Sequence, residues 1–307
     1  MSLVNDGATT TAPFADRLAG AVVERRSQLV VGLDPRLELL PLELRGDAQR
    51  DRTAAAAAFS RFCRGLIDAV CPYVVAVKPQ AACFEVLGAD GMRALEEVCE
   101  YAVTAGLLVV LDGKRGDIGH TARAYAAAYL EPRDDQRPVA DALTVNPYLG
   151  RDSLEPFVTA CRRTGGGIFC LVKTSNPGGE DVQDLTLSDG SQVWHQVARL
   201  VAELGSELVG DCGLSSIGAV VGATFPRAVS DARRLLPQSI LLLPGVCAQG
   251  ATPADVARAF TSGPASALVT VSRSVIYAFR FEGDDWRAAA GAEAARLRDE
   301  VWAASGW

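Results

Sequence analysis

The segment Asp112-Gly-Lys114-Arg-Gly-Asp117 puts two carboxylates and an ammonium within six residues. It follows the apolar run Leu107-Leu-Val-Val-Leu111, which has the composition of a buried strand. If the backbone stays extended through Gly113, Asp112 and Lys114 share a face, because side chains two apart on a strand point the same way. Carboxylates around a lysine favour its ammonium form. That suits a proton donor and suits poorly a Schiff-base nucleophile, which needs a depressed pKa.

Other apolar runs end on comparable residues: Asp34 after the first, Lys78 after the second, Asn146 after the fourth, Lys173 to Asn176 after the fifth, and Ser272-Arg273 after the eighth. One polar ending is what any loop shows. Charges of alternating sign at the ends of the first three runs point instead to a mixed acid–base array at one end of a sheet. A second chemistry lies further along. Pro244-Gly-Val-Cys-Ala-Gln-Gly250 is a glycine-containing turn whose amides can approach an anion, and Arg273 offers a forked, permanently charged donor for phosphate oxygens.

The elements that must position these residues repeat along the chain. Nearly continuous Val/Leu/Ile/Ala runs at 29–33, 73–77, 107–111, 141–145, 167–172, 217–222, 240–243 and 268–271 read as strands buried on both faces. Between them, 53–70, 91–105, 121–130, 153–163, 192–208, 226–236, 253–260 and 286–304 have helical periodicity. Cap signals precede two of them, Asp152-Ser-Leu-Glu155 and Thr252-Pro-Ala-Asp255. Strand and helix alternating through eight units predict an α/β protein of the (β/α)8 TIM-barrel class, with catalytic groups where strands run into βα loops. Phosphate is often held on the loops after strands seven and eight of such barrels. A doubly wound open sheet is the alternative, but no Gly-x-Gly-x-x-Gly follows the first strand. An extra helix over 14–27 is expected to cover the N-terminal end of the barrel. Residues 1–13 read as a flexible tail without the basic start and apolar stretch of a signal peptide. Residues 14–307 read as a single barrel domain.

Composition narrows the partners. A net charge of −7 argues against a nucleic-acid-coating surface, which needs a basic stripe, but leaves room for an anionic small molecule held by a few local cations. The apolar runs are too short to span a membrane. The eight cysteines are scattered without a Cys-x-x-Cys pair, and several lie inside apolar runs, so buried reduced thiols and a cytoplasmic location are expected.

The run from Asp112 to Thr121 closely resembles the Asp-x-Lys-x-x-Asp signature of orotidine 5'-phosphate decarboxylases, and most resembles their longer bacterial subgroup. The likeness extends through Gly-Leu-Asp34-Pro, Val-Lys78-Pro-Gln, Asn146-Pro-Tyr-Leu-Gly, Thr-Ser175-Asn-Pro-Gly, Pro-Gly-Val-Cys-Ala-Gln249-Gly and Ser-Arg273-Ser. The resemblance implies decarboxylation of orotidine 5'-phosphate to UMP without a cofactor or metal. It implies Lys114 as proton donor to C6 of the pyrimidine, Asp112 beside the substrate carboxylate, and Asp34 and Lys78 on the ribose. Ser175 would contact the pyrimidine, while Gln249 and Arg273 would hold the phosphate. Asp117 and Thr121 would reach the active site of the neighbouring subunit, so a homodimer is implied. Cys247 stands where the family often has glycine. His120 reads as a non-catalytic neighbour and His195 as structural, while the role of Arg115 stays open between structure and the partner interface.

Two rivals have discriminators. A magnesium-dependent sugar-phosphate decarboxylase or synthase of the same superfamily usually carries an acidic metal ligand where this chain has Lys78, whose charge would repel Mg²⁺. A non-catalytic nucleotide-binding barrel needs Gln249 and Arg273 but has no use for Asp112 and Lys114.

Overall fold

The computed structural model describes residues 11–134, 136–247, 250–282 and 285–307. Within them, parallel strands close into a barrel in chain order. They are β1 (Leu29–Leu33), β2 (Ala76–Pro79), β3 (Leu108–Arg115), β4 (Ala142–Val145), β5 (Gly167–Lys173), β6 (Ser215–Val221), β7 (Ser239–Pro244) and β8 (Ala267–Val271). β8 returns to β1, with Val30 opposite Thr270. Every residue of β1, β4, β6 and β8 is buried, as continuous apolar runs require when helices cover one face and barrel filling the other. The expected (β/α)8 architecture is the one found.

The helices are α1 (Phe14–Arg25), α2 (Arg52–Val70), α3 (Gly88–Thr104), α4 (Gly119–Leu130), α5 (Arg151–Thr164), α6 (Val193–Gly205), α7 (Pro226–Leu235) and α8 (Trp286–Ser305). Between β7 and β8 the segment Pro253–Phe260 winds as a 3-10 helix. Its Thr252/Asp255 capping box forms as expected, the Thr252 hydroxyl lying 2.7 Å from the Asp255 carboxylate. The helical segment expected there is present, wound at three residues per turn. α5 departs from its expected cap. It begins at Arg151 behind Gly150, which has φ 92°, and the Ser153 hydroxyl donates back to the Gly150 carbonyl at 2.6 Å. Short helices at Leu42–Ala48, Ala81–Glu85, Glu180–Gln183, Arg273–Ile276 and Phe279–Glu282 carry too few turns for periodicity to reveal them.

α1 closes the N-terminal end of the barrel. Phe14, Ala15, Leu18 and Val22 are fully buried against Val30, Val75, Val110, Phe169 and Ile240, each large side chain contributing about 1.5–3 kcal/mol by burial. The Phe14 ring meets Phe169 edge-on at 5.9 Å between centroids. Gly167 makes room for it, since a Cβ there would lie 2.6 Å from the Phe14 ring. Arg25 at the end of α1 donates to the carbonyls of Cys71, Val74 and Gly106. Beside it, the buried Asp141 carboxylate pairs with Arg17 at 2.5 Å and Arg137 at 3.0 Å, and accepts the Val109 amide at 2.8 Å.

All eight cysteines are free, and Cys63, Cys99, Cys161 and Cys170 are buried. Burial pushes the Cys99 and Cys161 thiols up to about 12, which keeps them protonated and unreactive. Among the described residues no helix is long and apolar enough to cross a membrane.

Candidate active site

At the C-terminal ends of the strands a cavity of about 660 Å³ is lined by Asp34, Lys78, Asp112, Lys114, Ser175 and Arg273, among others. Six of the nine residues singled out from sequence therefore meet in one place. Leu171, Val220 and Leu242 give it apolar walls.

Asp112 is the centre of the array. Its Oδ2 accepts from Lys78 Nζ at 2.5 Å and Gln80 Nε2 at 3.2 Å, and its Oδ1 from Lys114 Nζ at 2.5 Å and the Thr144 hydroxyl at 3.0 Å. A carboxylate has about four lone-pair sites, so this one is saturated and can neither rotate nor take a proton cheaply. Burial works to raise its pKa, but Lys78 and Lys114 outweigh that and hold it well below the usual carboxylate range. Burial likewise pulls Lys78 down, yet Asp112 and Asp34 outweigh it and leave the ammonium more firmly protonated than a free lysine. The two lysines differ in access. The Lys78 side chain is 9% exposed and that of Lys114 48%. Both line the cavity, Lys78 as a buried charge and Lys114 with a half-exposed side chain.

Lys114 does not get there by simple strand alternation. Leu111 pairs with Leu143 and Arg115 with Val145, so four steps of β3 face two of β4. The slack is taken up in a bulge where Lys114 has φ 46°. A non-glycine residue in this left-handed region costs roughly 1–2 kcal/mol. The strand continues through Gly113 and the backbone leaves the extended region at Lys114, a common use of bulges beside active sites being to re-aim a side chain. The bulged Lys114 amide finds its partner in the Thr144 hydroxyl at 2.9 Å.

Asp34 is held from two sides. Its Oδ2 accepts from the Ser272 hydroxyl at 2.6 Å, and its backbone carbonyl accepts from the Tyr277 hydroxyl at 3.1 Å. Its Oδ1 is buried without a hydrogen-bond partner among the described residues, as is the Thr270 hydroxyl, and both residues line the cavity.

The loop after β5 carries Ser175 into the cavity wall. Gly222 on the next loop lets it approach, since a Cβ there would come within 2.9 Å of the Ser175 Cα. Gln183 grips Thr174 twice, accepting its amide at 2.9 Å and donating to its hydroxyl at 2.7 Å. Lys173, another polar strand end, is buried and anchors this loop by pairing with both oxygens of Asp184 at 2.7 Å. Arg273 begins the short helix after β8 and lines the cavity. Gln249 lies outside the described residues. Cys247 adopts φ 62°, a conformation glycine takes freely, and the Gly250 amide closes the turn onto its carbonyl at 3.1 Å.

Asp117 and Thr121 are not on the cavity wall of their own chain. Asp117 accepts the Ile118 amide at 2.7 Å, and the Thr121 hydroxyl lies 3.4 Å from His120 Nε2. Ile118, Tyr148 and Leu149 are exposed apolar residues of the same two βα loops. Arg115 is engaged within its own chain by Glu85, by the Tyr129 hydroxyl at 3.3 Å and by the rings of Tyr125 and Tyr129. His195 is structural: its Nδ1 accepts the Gln192 amide at 3.1 Å and caps α6. Ser272, a polar strand ending, lines the cavity too, and so do Gln80 and Thr144, which sequence reasoning did not assign to it. Gln80 and Thr144 lie two residues from Lys78 and Asn146, so the period-two rule that selects those strand ends also points to them. No cluster of three or more His, Cys, Asp or Glu side chains suited to a metal ion is present among the described residues.

Residues 27–280 match the model of the Orotidine 5'-phosphate decarboxylase / HUMPS family. The chain is 50% identical over 272 residues to an orotidine 5'-phosphate decarboxylase of Rhodopirellula baltica, covering 88% of this chain and 90% of the relative. It is 46% identical over 297 residues to one of Deinococcus radiodurans, covering 96% and 99%. Among solved structures, the OMP decarboxylase of Leishmania donovani superposes with a TM-score of 0.73 at 34% identity, covering 96% of this chain and 99% of that one.

Proposed function

The chain belongs to the orotidine 5'-phosphate decarboxylase / HUMPS family, and from that premise we propose how its residues convert orotidine 5'-phosphate to UMP, the last step of de novo pyrimidine synthesis. One observation carries the reading: in a buried array of alternating charge, Lys114 alone among the two lysines combines a 2.5 Å contact with Asp112 and a half-exposed side chain. Arg273 and Gln249 hold the phosphate. Lys78 and Asp34 take the ribose hydroxyls, and Ser175 meets the pyrimidine. The substrate carboxylate then lies beside Asp112. The bond between C6 and the carboxylate breaks, CO₂ departs, the electron pair remains at C6, and Lys114 delivers a proton there. The fixed ammonium groups face the developing carbanion without having to reorganise. Binding energy from the phosphate can drive closure of the loop at 174–181.

Residues 14–307 act in this reading as one catalytic domain in the cytoplasm, working as a homodimer in which Asp117 and Thr121 serve the partner's cavity. Their absence from their own cavity wall and the exposed Ile118, Tyr148 and Leu149 nearby support that. No cofactor is required. A magnesium-dependent synthase is disfavoured by Lys78, whose raised pKa keeps a cation at the end of β2.

The test is a spectrophotometric assay of purified protein with orotidine 5'-phosphate, with and without EDTA. Loss of orotidylate absorbance with formation of UMP, unaffected by EDTA, is expected. Nucleotide binding without absorbance change would leave only a binding barrel, and loss of turnover in EDTA would revive the metal-dependent reading.

A further inference from the structure

Thr144 lies inside β4 and its hydroxyl touches both members of the reacting pair. The Lys114 amide donates to it at 2.9 Å, and it lies 3.0 Å from Asp112 Oδ1. An amide can only donate, so it takes a hydroxyl lone pair and leaves the single hydroxyl proton for the carboxylate. Thr144 is 2% exposed, so water has little access to replace either bond. The bonds fall where the ladder between β3 and β4 is broken, and where Lys114 holds its left-handed backbone at φ 46°. On the β4 side no residue pairs in register with the bulge between Leu111 and Arg115.

We propose that Thr144 is a positioning residue for the decarboxylation, fixing the backbone of the proton donor and the carboxylate beside it at one separation. This rests on the roles given above to Asp112 and Lys114. The methyl group of threonine fills space, while the hydroxyl alone makes the link, so two substitutions separate the functions. Thr144→Val keeps the shape and deletes the link; Thr144→Ser keeps the link and deletes the methyl.

The experiment compares kcat and KM for orotidine 5'-phosphate in the native protein and both variants, together with hydrogen exchange at the Lys114 amide without substrate. Misplacing a reacting group by about 1 Å can cost about 100-fold, so kcat of Thr144→Val should fall about 10- to 100-fold with KM changed less than about threefold. Thr144→Ser should recover most of that loss. The Lys114 amide should exchange faster in the valine variant and at the native rate in the serine variant. A valine variant with native kcat, a serine variant as impaired as the valine one, or unchanged exchange in the valine variant would each overturn the proposal. Native protein inactive on orotidine 5'-phosphate would overturn the functional reading instead, and the exchange comparison would still decide whether Thr144 holds Lys114.

Discussion

Asp112 and Asp141 are both buried carboxylates gripped by two cations, at opposite ends of neighbouring strands. Asp141, with its side chain 4% exposed, stands just before β4 at the sealed base and pairs with Arg17 and Arg137. Asp112, at 10%, stands near the end of β3 at the open mouth and pairs with Lys78 and Lys114. The ionic motif is nearly the same, but the surroundings give it different uses. Arginine does not give up its proton in proteins, and the remaining acceptor at Asp141 is spent on the Val109 amide, so that cluster ties α1 to the sheet. Lysine can transfer a proton, and both lysines at Asp112 line a cavity, Lys114 with a half-exposed side chain. A buried ion pair is therefore no signature of chemistry until the transferability of its protons and the space beside it are known.

The strongest way to break the contrast is Lys114→Ala. Loss of a general acid costs up to about 10⁴-fold, so kcat should fall by that order while circular dichroism and the melting transition are retained. A variant with near-native kcat would remove the proton donor from the mechanism. Next come paired substitutions at the two carboxylates. Asp112→Asn should lower kcat by about 100- to 1000-fold, the scale of one preorganised electrostatic group. Asp141→Asn should leave kcat per folded molecule near native but lower the unfolding free energy by about 2–3 kcal/mol, the low end for a broken buried pair because its arginines are partly exposed. Urea unfolding with activity measured on the folded fraction checks both, and equal losses of kcat would erase the distinction. Smaller still, Arg273→Ala should raise KM for orotidine 5'-phosphate about 10- to 100-fold, as expected for a lost charge-assisted contact, and barely change turnover of orotidine. A matching loss on the nucleoside would show that Arg273 does more than hold phosphate.

The mildest test is pH. Because Asp112 is held below the unfolded carboxylate value of about 3.9, the unfolded chain takes up its proton first as pH falls. Its contribution to stability is full above about pH 5 and drains away on acidification through the folded value. Lys78, raised in the folded state, has the opposite sign: its contribution is full below about 10.4 and is lost as pH rises past it. Denaturation midpoints at pH 7, 5 and 4 should therefore decline more steeply for native protein than for Asp112→Asn. Parallel curves would mean that the carboxylate is not depressed.

Much of the barrel and its mouth is legible in the sequence. Strands buried on both faces leave unbroken apolar runs, and the residues ending them mark the mouth, so residue type and spacing are enough to gather Asp34, Lys78, Asp112, Lys114, Ser175 and Arg273. The bulge is hidden because a register is a relation between two strands, and Lys114 reaches its place through the count of β3 against β4. The cluster at Asp141 is hidden for a similar reason, since Arg17 lies 124 residues away. Asp117 and Thr121 are conspicuous in the signature but find no place in the cavity of a single chain, as their proposed target belongs to another one.

The plug formed by α1 has a consequence for traffic. With Phe14 and Leu18 filling the base, the described residues leave the mouth as the way in for nucleotide and the way out for CO₂ and UMP. Any loop that closes over the mouth to organise the reaction also traps the gas and the nucleotide until it reopens. Trimming Phe14 would cost burial at the base without opening a second exit, because packed side chains fill the barrel between it and the mouth.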